Sequence, residues 1–164
     1  MRDELVDAVD EAKEKVYRDD LIFFTRNEVY RYDQEAKDKD FKLGKLHEEW
    51  NDLIWRSPRL RVLAPRDHLK TTFFSIAYSA LRCKLNPDDL IYIFSKTDQQ
   101  AVKILDMIKK IIKKSPFLKG LMGSGAEFWN KTEIRCANGS TVYAQGYFSA
   151  IRGEAKRGCC WGPW

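Results

Sequence analysis

Between residues 61 and 114 the apolar pattern switches repeatedly between short runs and longer helical stretches, and that alternation constrains the fold more than any other feature. Arg61-Val62-Leu63-Ala64 reads as a short apolar strand, and Pro65 to Leu69 as a tight polar loop. Lys70 to Lys84 has apolar residues on most sides, as a buried helix would. Asn86-Pro87-Asp88-Asp89 is a turn signal. Leu90 to Phe94 is a continuous apolar run, the mark of a strand covered on both faces. Thr97 is placed to cap a helix from Asp98 to about Lys114, with Val102, Leu105, Ile108 and Ile112 facing inward, and Ser115-Pro116 ends it. Strand, helix, strand, helix with short turns predicts parallel pairing and an α/β sheet. Trp129 to Ala137 and Thr141 to Phe148 then flank Asn138-Gly139. Asn-Gly between two β-rich runs signals a hairpin, because both turn positions need positive φ.

The preceding part is helical. Residues 3–18 are charged, with Leu5, Val6, Val9 and Val16 at roughly helical spacing, which predicts a solvated amphipathic helix. Leu21-Ile22-Phe23-Phe24 is a short apolar block, and Asp33 to Lys42 reads as a polar loop. Leu46, Trp50, Leu53 and Ile54 repeat at i, i+4, i+7 and i+8, the stripe of a helix packed on a core, which Ser57-Pro58 stops. The domains expected are a helical lead-in over 1–45, an α/β unit over 46–157 and an atypical tail over 158–164.

The chain's 164 residues fit one domain with a real core, and the 44% hydrophobic fraction excludes wholesale disorder. No apolar run approaches the roughly 18 to 20 residues that cross a bilayer. The start, Met1-Arg2-Asp3-Glu4-Leu5, lacks the basic-then-apolar order of a secretory signal, so a cytoplasmic protein without membrane contact is expected. Cys83, Cys136, Cys159 and Cys160 contain no C-x-x-C pair and lie at no familiar ligand spacing from His47 or His68, which argues against zinc. A disulfide framework is not expected in a chain without an export signal. Charge is uneven. Residues 1–60 carry 12 basic and 16 acidic side chains; residues 61–164 carry 17 basic and 8 acidic, a balance of +9. The second part therefore suits an anionic partner, or else presents a solvated lysine face. The Lys109-Lys110 and Lys113-Lys114 pairs carry the same two readings.

The segment with chemistry in it is Ala64-Pro65-Arg66-Asp67-His68-Leu69-Lys70-Thr71-Thr72, which joins the short strand to a helix. A loop opening onto a helix N-terminus offers amides without intrahelical partners and the positive end of the helix dipole to a phosphate. Lys70 in the first turn can reach β and γ phosphates, and the Thr71 hydroxyl can ligate Mg²⁺. The usual pattern is G-x-x-x-x-G-K-[ST], and here Ala64 and Leu69 stand at the glycine positions. On the local string alone an ordinary polar turn, with His68 as a turn or capping residue, stands as the other reading.

With its surroundings, the loop resembles that of the N-terminal ATPase part of the large terminase subunit, the motor that packages DNA into tailed-phage heads. Members of that family commonly have a deviant loop of the type P-R-x-H-x-K-[ST]-T, present here as Pro65 to Thr72. A helical region with His47 and Trp50 before the loop, Phe94 to Ala101 after the second strand, and the hairpin leading into Ser149-Ala150-Ile151-Arg152-Gly153 look like the same family. The likeness spans roughly residues 20 to 157. It implies a P-loop NTPase fold of the RecA type, with a parallel sheet, flanking helices and a β-hairpin insertion, that binds ATP and Mg²⁺. Lys70 would neutralise the β and γ phosphates and Thr71 would hold the magnesium. The main chain of Arg66, Asp67, His68, Leu69, Lys70, Thr71 and Thr72, entered through Pro65, would wrap the phosphates. Arg66 would stabilise charge on the γ-phosphate, and Arg152 would be a sensor or a surface arginine. Double-stranded DNA, a capsid portal, a small terminase subunit and a homo-oligomeric ring in an infected bacterial cell are the implied partners and setting.

The family next has an apolar strand ending in paired acids, whereas this sequence continues Gly158-Cys159-Cys160-Trp161-Gly162-Pro163-Trp164. The C-terminal strands are thus expected to be missing, with weak ATP hydrolysis and an open sheet edge beside Leu90–Phe94 that favours association. Two other functions fit the same residues. One is a different P-loop ATPase, helicase-like or recombinase-like. The other is a non-enzymatic nucleic-acid module using the basic second part with Trp129, Tyr143, Tyr147 and Phe148.

Overall fold

A computed structural model describes residues 2–32, 43–57, 59–66, 68–123 and 129–149. Its helices are α1 (Arg2–Asp19), α2 (Leu21–Phe24, running on as wide π-type turns over Thr25–Tyr30), α3 (Lys45–Arg56), α4 (Tyr78–Leu85, preceded by π-type turns over Thr71–Ala77), α5 (Asp98–Lys114) and the single turn α6 (Tyr147–Ser149). Its strands are β1 (Leu90–Ser95), β2 (Trp129–Asn130), β3 (Glu133–Arg135) and β4 (Thr141–Gly146). They form one mixed sheet in the order β1-β4-β3-β2, with β1 parallel to β4 and the other pairs antiparallel. The fold is a mixed α/β one with helices against the sheet.

Helix α5 sits at the centre. The Thr97 hydroxyl caps it by accepting from the Gln100 amide at 3.3 Å, and Ala101, Leu105, Ile108, Ile111 and Ile112 are all buried. One side of α5 packs on β1 and β4, and another packs on the helix that starts at Lys70. The sheet face toward it carries Ile93, Val142, Ala144 and Ile134. Fully burying each such aliphatic side chain contributes about 1.5–3 kcal/mol.

The N-terminal helices close the other end of the core around a buried carboxylate. Tyr17, Phe24 and Phe117 meet edge to face, with Tyr17 to Phe117 at 5.0 Å between ring centres. Beside them Glu28 is 4% exposed. It accepts from the Tyr17 hydroxyl at 2.9 Å and the Ser115 hydroxyl at 2.5 Å, with the Lys13 ammonium 3.7 Å away. Burial and that negative neighbour push the Tyr17 phenol well above its ordinary range. Asn51 of α3 ties the junction of α1 and α2, accepting from the Leu21 amide at 2.8 Å and donating to the Asp19 carbonyl at 3.2 Å.

Several expectations are corrected. Arg61–Ala64 forms no strand. Its alternation is intact, since Val62 and Ala64 pack on the core while Leu63 is 81% exposed, but no described strand lies beside it to form a ladder. The parallel partner of Leu90–Ser95 is instead Thr141–Gly146, so the sheet is mixed, with a single parallel pair. Leu90–Phe94 is not covered on both faces: Ile91 and Ile93 pack inward, while Leu90 and Phe94 are 47% and 45% exposed on the other. Among the described residues the strand also ends the sheet. The hairpin forms, but only Gly139 has positive φ (+89°). Ala137-Asn138-Gly139 is a three-residue loop closed by the Cys136 amide on the Ser140 carbonyl at 2.8 Å, which asks for one left-handed residue rather than two. In α3, Trp50 is buried and Leu53 is exposed, with His47 taking its place in the stripe. Among the described side chains of α1 the buried one is Tyr17, while Val9 and Val16 are about half exposed; Leu5 and Val6 lie outside them. Asp33–Lys42 lies outside the described residues, as does the tail over 158–164.

Replacing Glu28 by Ala strands two buried hydroxyls, and is expected to cost about 3 kcal/mol. Urea unfolding would read this as a lower midpoint with an unchanged slope. Glu28→Gln, which keeps an acceptor, should lose less.

Candidate functional site

The helical run that ends in α4 begins at Lys70, and its first main-chain bond runs from the Phe73 amide to the Leu69 carbonyl at 2.8 Å. The amides of Lys70, Thr71 and Thr72 therefore precede the helix's own hydrogen bonding. The loop does open onto a helix start. Leu69, at the second glycine position of the usual pattern, adopts φ +54°. A left-handed conformation costs a leucine roughly 1 kcal/mol, so the backbone keeps the glycine-like shape without the glycine. The partly buried Leu69 side chain packs on the core and offsets that cost.

Lys70 and Thr71 line a cleft of about 460 Å³ between α3, the extended segment after it and the Lys70 helix. Its walls are Ile54, Val62, Phe74 and Tyr78. The Lys70 ammonium is turned back onto the loop, donating to the Ala64 carbonyl at 2.8 Å and to the Pro65 carbonyl. His68 Nδ1 lies 2.8 Å from the Arg66 carbonyl, so its ring closes the turn.

Behind the loop stands His47. The Gly44 amide donates to its Nδ1 at 3.3 Å, which leaves the hydrogen of the neutral ring on Nε2. Among the described residues no group makes a well-formed hydrogen bond to that buried Nε2, although the His68 main chain lies close to the ring. The ring packs against Trp50 at 5.0 Å and Phe73 at 5.8 Å, which ties α3 to the first turn after the loop. Burial holds His47 below its ordinary pKa of 6.5; the main chain of His68 and Gly44 acts the other way and the His68 ring adds to the lowering.

Of the described candidate site residues, the structure brings Lys70 and Thr71 to the cleft. Pro65, Arg66, His68 and Leu69 form the turn behind it, with Arg66 and His68 exposed, and Thr72 is half-buried. Asp67 and Arg152 lie outside the described residues. The apolar walls went unread, yet Lys70, Thr71, Phe74, Ser75 and Tyr78 are spaced i, i+1, i+4, i+5 and i+8, one face of a helix. A cation, a hydroxyl and free amides suit a phosphate. For a magnesium shell the fit is incomplete, because no carboxylate among the described residues lines the cleft. No protein-family model matches the chain, and no curated protein matches it.

The His47 shift fixes a sign. A histidine lowered in the folded state contributes stability that is complete above pH 6.5 and is lost as pH falls through that value, because the unfolded chain then binds the extra proton. Thermal midpoints are expected to drop between about pH 7 and 5, and to drop less steeply in His47→Gln. Equal slopes would assign the loss to other groups.

Proposed function

We propose that the chain is the ATP-binding part of a DNA-packaging motor of the large terminase type. One observation carries the reading: Lys70 and Thr71, on the first turn of the helix that follows the loop, face one cleft together. Under this reading Arg61–Ala64, extended but without a ladder, is the segment that leads into the loop of a P-loop fold. Lys70 leaves the Ala64 and Pro65 carbonyls for the β and γ phosphates, a stronger, charge-assisted exchange. Thr71 would hold the magnesium through its hydroxyl. Arg66 supports γ-phosphate charge, and double-stranded DNA, a portal and a ring of like subunits complete the motor. Turnover by the chain alone is slow, because the acid that would orient water is absent from the described cleft, and losing one such group commonly costs about 10² to 10⁴ in rate.

The alternative of a basic nucleic-acid module is favoured by the face of the sheet opposite α5. There Tyr92 stacks on Phe94 at 6.0 Å and on Tyr143 at 5.1 Å. Trp129 does not join it, since it lies beneath the Lys113 ammonium on the side of α5.

Calorimetric titration with Mg·ATP separates the two. Lys70→Ala should weaken binding at least about tenfold, the scale of one lost charge-assisted contact. Thr71→Val should weaken binding of Mg·ATP more than of ATP in chelator. Undiminished affinity in Lys70→Ala removes the motor reading. Salt-sensitive DNA binding indifferent to ATP would support the module instead.

A further inference from the structure

Strand β1 leaves one side of the sheet open. Among the described residues β4 is its only neighbour in the sheet, and no ladder forms along its other edge. Apolar side chains reach that edge on both faces: Leu90 and Phe94 are about half exposed on one, and Ile91 is half-buried on the other. Sheet edges that stay single are usually blunted by a proline, a bulge or an inward charge. Leu90-Ile91-Tyr92-Ile93-Phe94-Ser95 has no proline and no charge, and its register with β4 runs unbroken. The charges stand at its ends instead, Asp88 before the strand and Lys96 after it. Both are exposed and pair with no other described residue, whereas Asp89 is held by Arg82 at 2.6 Å.

This edge is complementary to itself in one register. Two copies of a strand related by a two-fold axis through the sheet run antiparallel, and opposite residues share a face only when the axis passes through a residue. With the axis at Tyr92, Leu90 lies opposite Phe94 of the other copy, Ile91 opposite Ile93, and Asp88 opposite Lys96. Every apolar residue then meets an apolar one, and an acid meets a base at both ends. The neighbouring registers fail. An axis at Ile93 sets Leu90 against Lys96, and one at Ile91 sets Asp88 against Phe94. Tyr92 already stacks on Tyr143 at 5.1 Å and on Phe94 at 6.0 Å, so the aromatic row continues across the axis.

We propose that the occupant of this edge is a second copy of the chain, paired antiparallel through β1 about a two-fold axis at Tyr92. The two four-stranded sheets then become one continuous sheet. Main-chain hydrogen bonds between the β1 strands supply affinity, and the Asp88–Lys96 pairs fix the register. The surface shares no residue with the cleft, so the inference stands whether or not the cleft takes a nucleotide. One short strand from each copy is a small interface, so the association is weak and reversible.

The test uses the full chain with Cys159→Ser and Cys160→Ser, which leaves the buried Cys83 and Cys136 as its cysteines. Sedimentation from about 1 to 300 μM should show a mass rising from 19.2 kDa toward twice that value. Lys96→Asp sets two acids together at each end of the pairing, and Asp88→Lys sets two bases together. Each should weaken association at least about tenfold. Mixed in equal amounts, the two variants should associate as the parent does, because only the unlike pair restores acid against base. Tyr92→Cys should form a disulfide between copies on mild oxidation, whereas Leu90→Cys, displaced from the axis, should not. A monomer at every concentration, a charge variant that associates like the parent, a mixture no tighter than its components, or preferential linking of Leu90→Cys would each overturn the proposal. A monomer that binds single-stranded DNA through Tyr92 and Phe94 would overturn it in favour of a nucleic-acid occupant. Should Tyr92→Cys fail to fold, the mixing experiment decides, since both of its substitutions lie at exposed positions outside the strand.

Discussion

Helix α5 must hide a stripe wide enough to touch two layers, and the rest of the molecule is arranged by that demand. Ala101, Leu105, Ile108, Ile111 and Ile112 are buried, with Ile104 and Met107 half covered beside them. A stripe spanning nearly half the helix cannot be satisfied by a sheet alone. The sheet takes one flank and the Lys70 helix takes the other, so the helix that opens the candidate cleft is held in place by contacts made far from it. The buried Glu28 cluster fixes the far end of α5 through Ser115, immediately after the last helical residue.

Much of this was legible because the signals were local. Thr97 and the 3.6-residue spacing after it locate α5, and Asn138-Gly139 locates the hairpin. The misjudged elements are those whose state depends on neighbours distant in sequence. Arg61–Ala64 has a strand's alternation, but a strand is defined by a partner, and nothing in four residues says whether one exists. Leu90–Phe94 has a fully buried strand's composition, yet its outer face remains half open, because apolar content reports what a residue tolerates rather than what covers it. Asn138 illustrates the same limit at shorter range: the dipeptide signals the turn, and the strand register chooses its type.

The site follows this division. The sequence placed Lys70 at a helix start, and there it is. The sequence could not show that its ammonium rests on two carbonyls of its own loop. In the structure described, the cradle's cation is satisfied internally, so an incoming anion competes with the protein's own main chain. In the sequence His47 stands as a companion of Trp50 and as a metal ligand set aside on spacing. Its importance lies in the space between α3 and Phe73, where a small aromatic ring with one bonded nitrogen fills a gap that a larger residue would force open.

Strand β4 ends on the first turn of α5 with almost no clearance. The Gly146 amide donates to the Asp98 carboxylate at 2.6 Å, and a side-chain carbon added to Gly146 would come within 2.7 Å of the Asp98 nitrogen. A single inserted residue between Thr141 and Gly146 would therefore bring a bulky group to a spot that admits only hydrogen, and a deletion would leave the carboxylate facing Tyr147. The abutment thus acts as the ruler setting how far the strand and the helix can slide past each other.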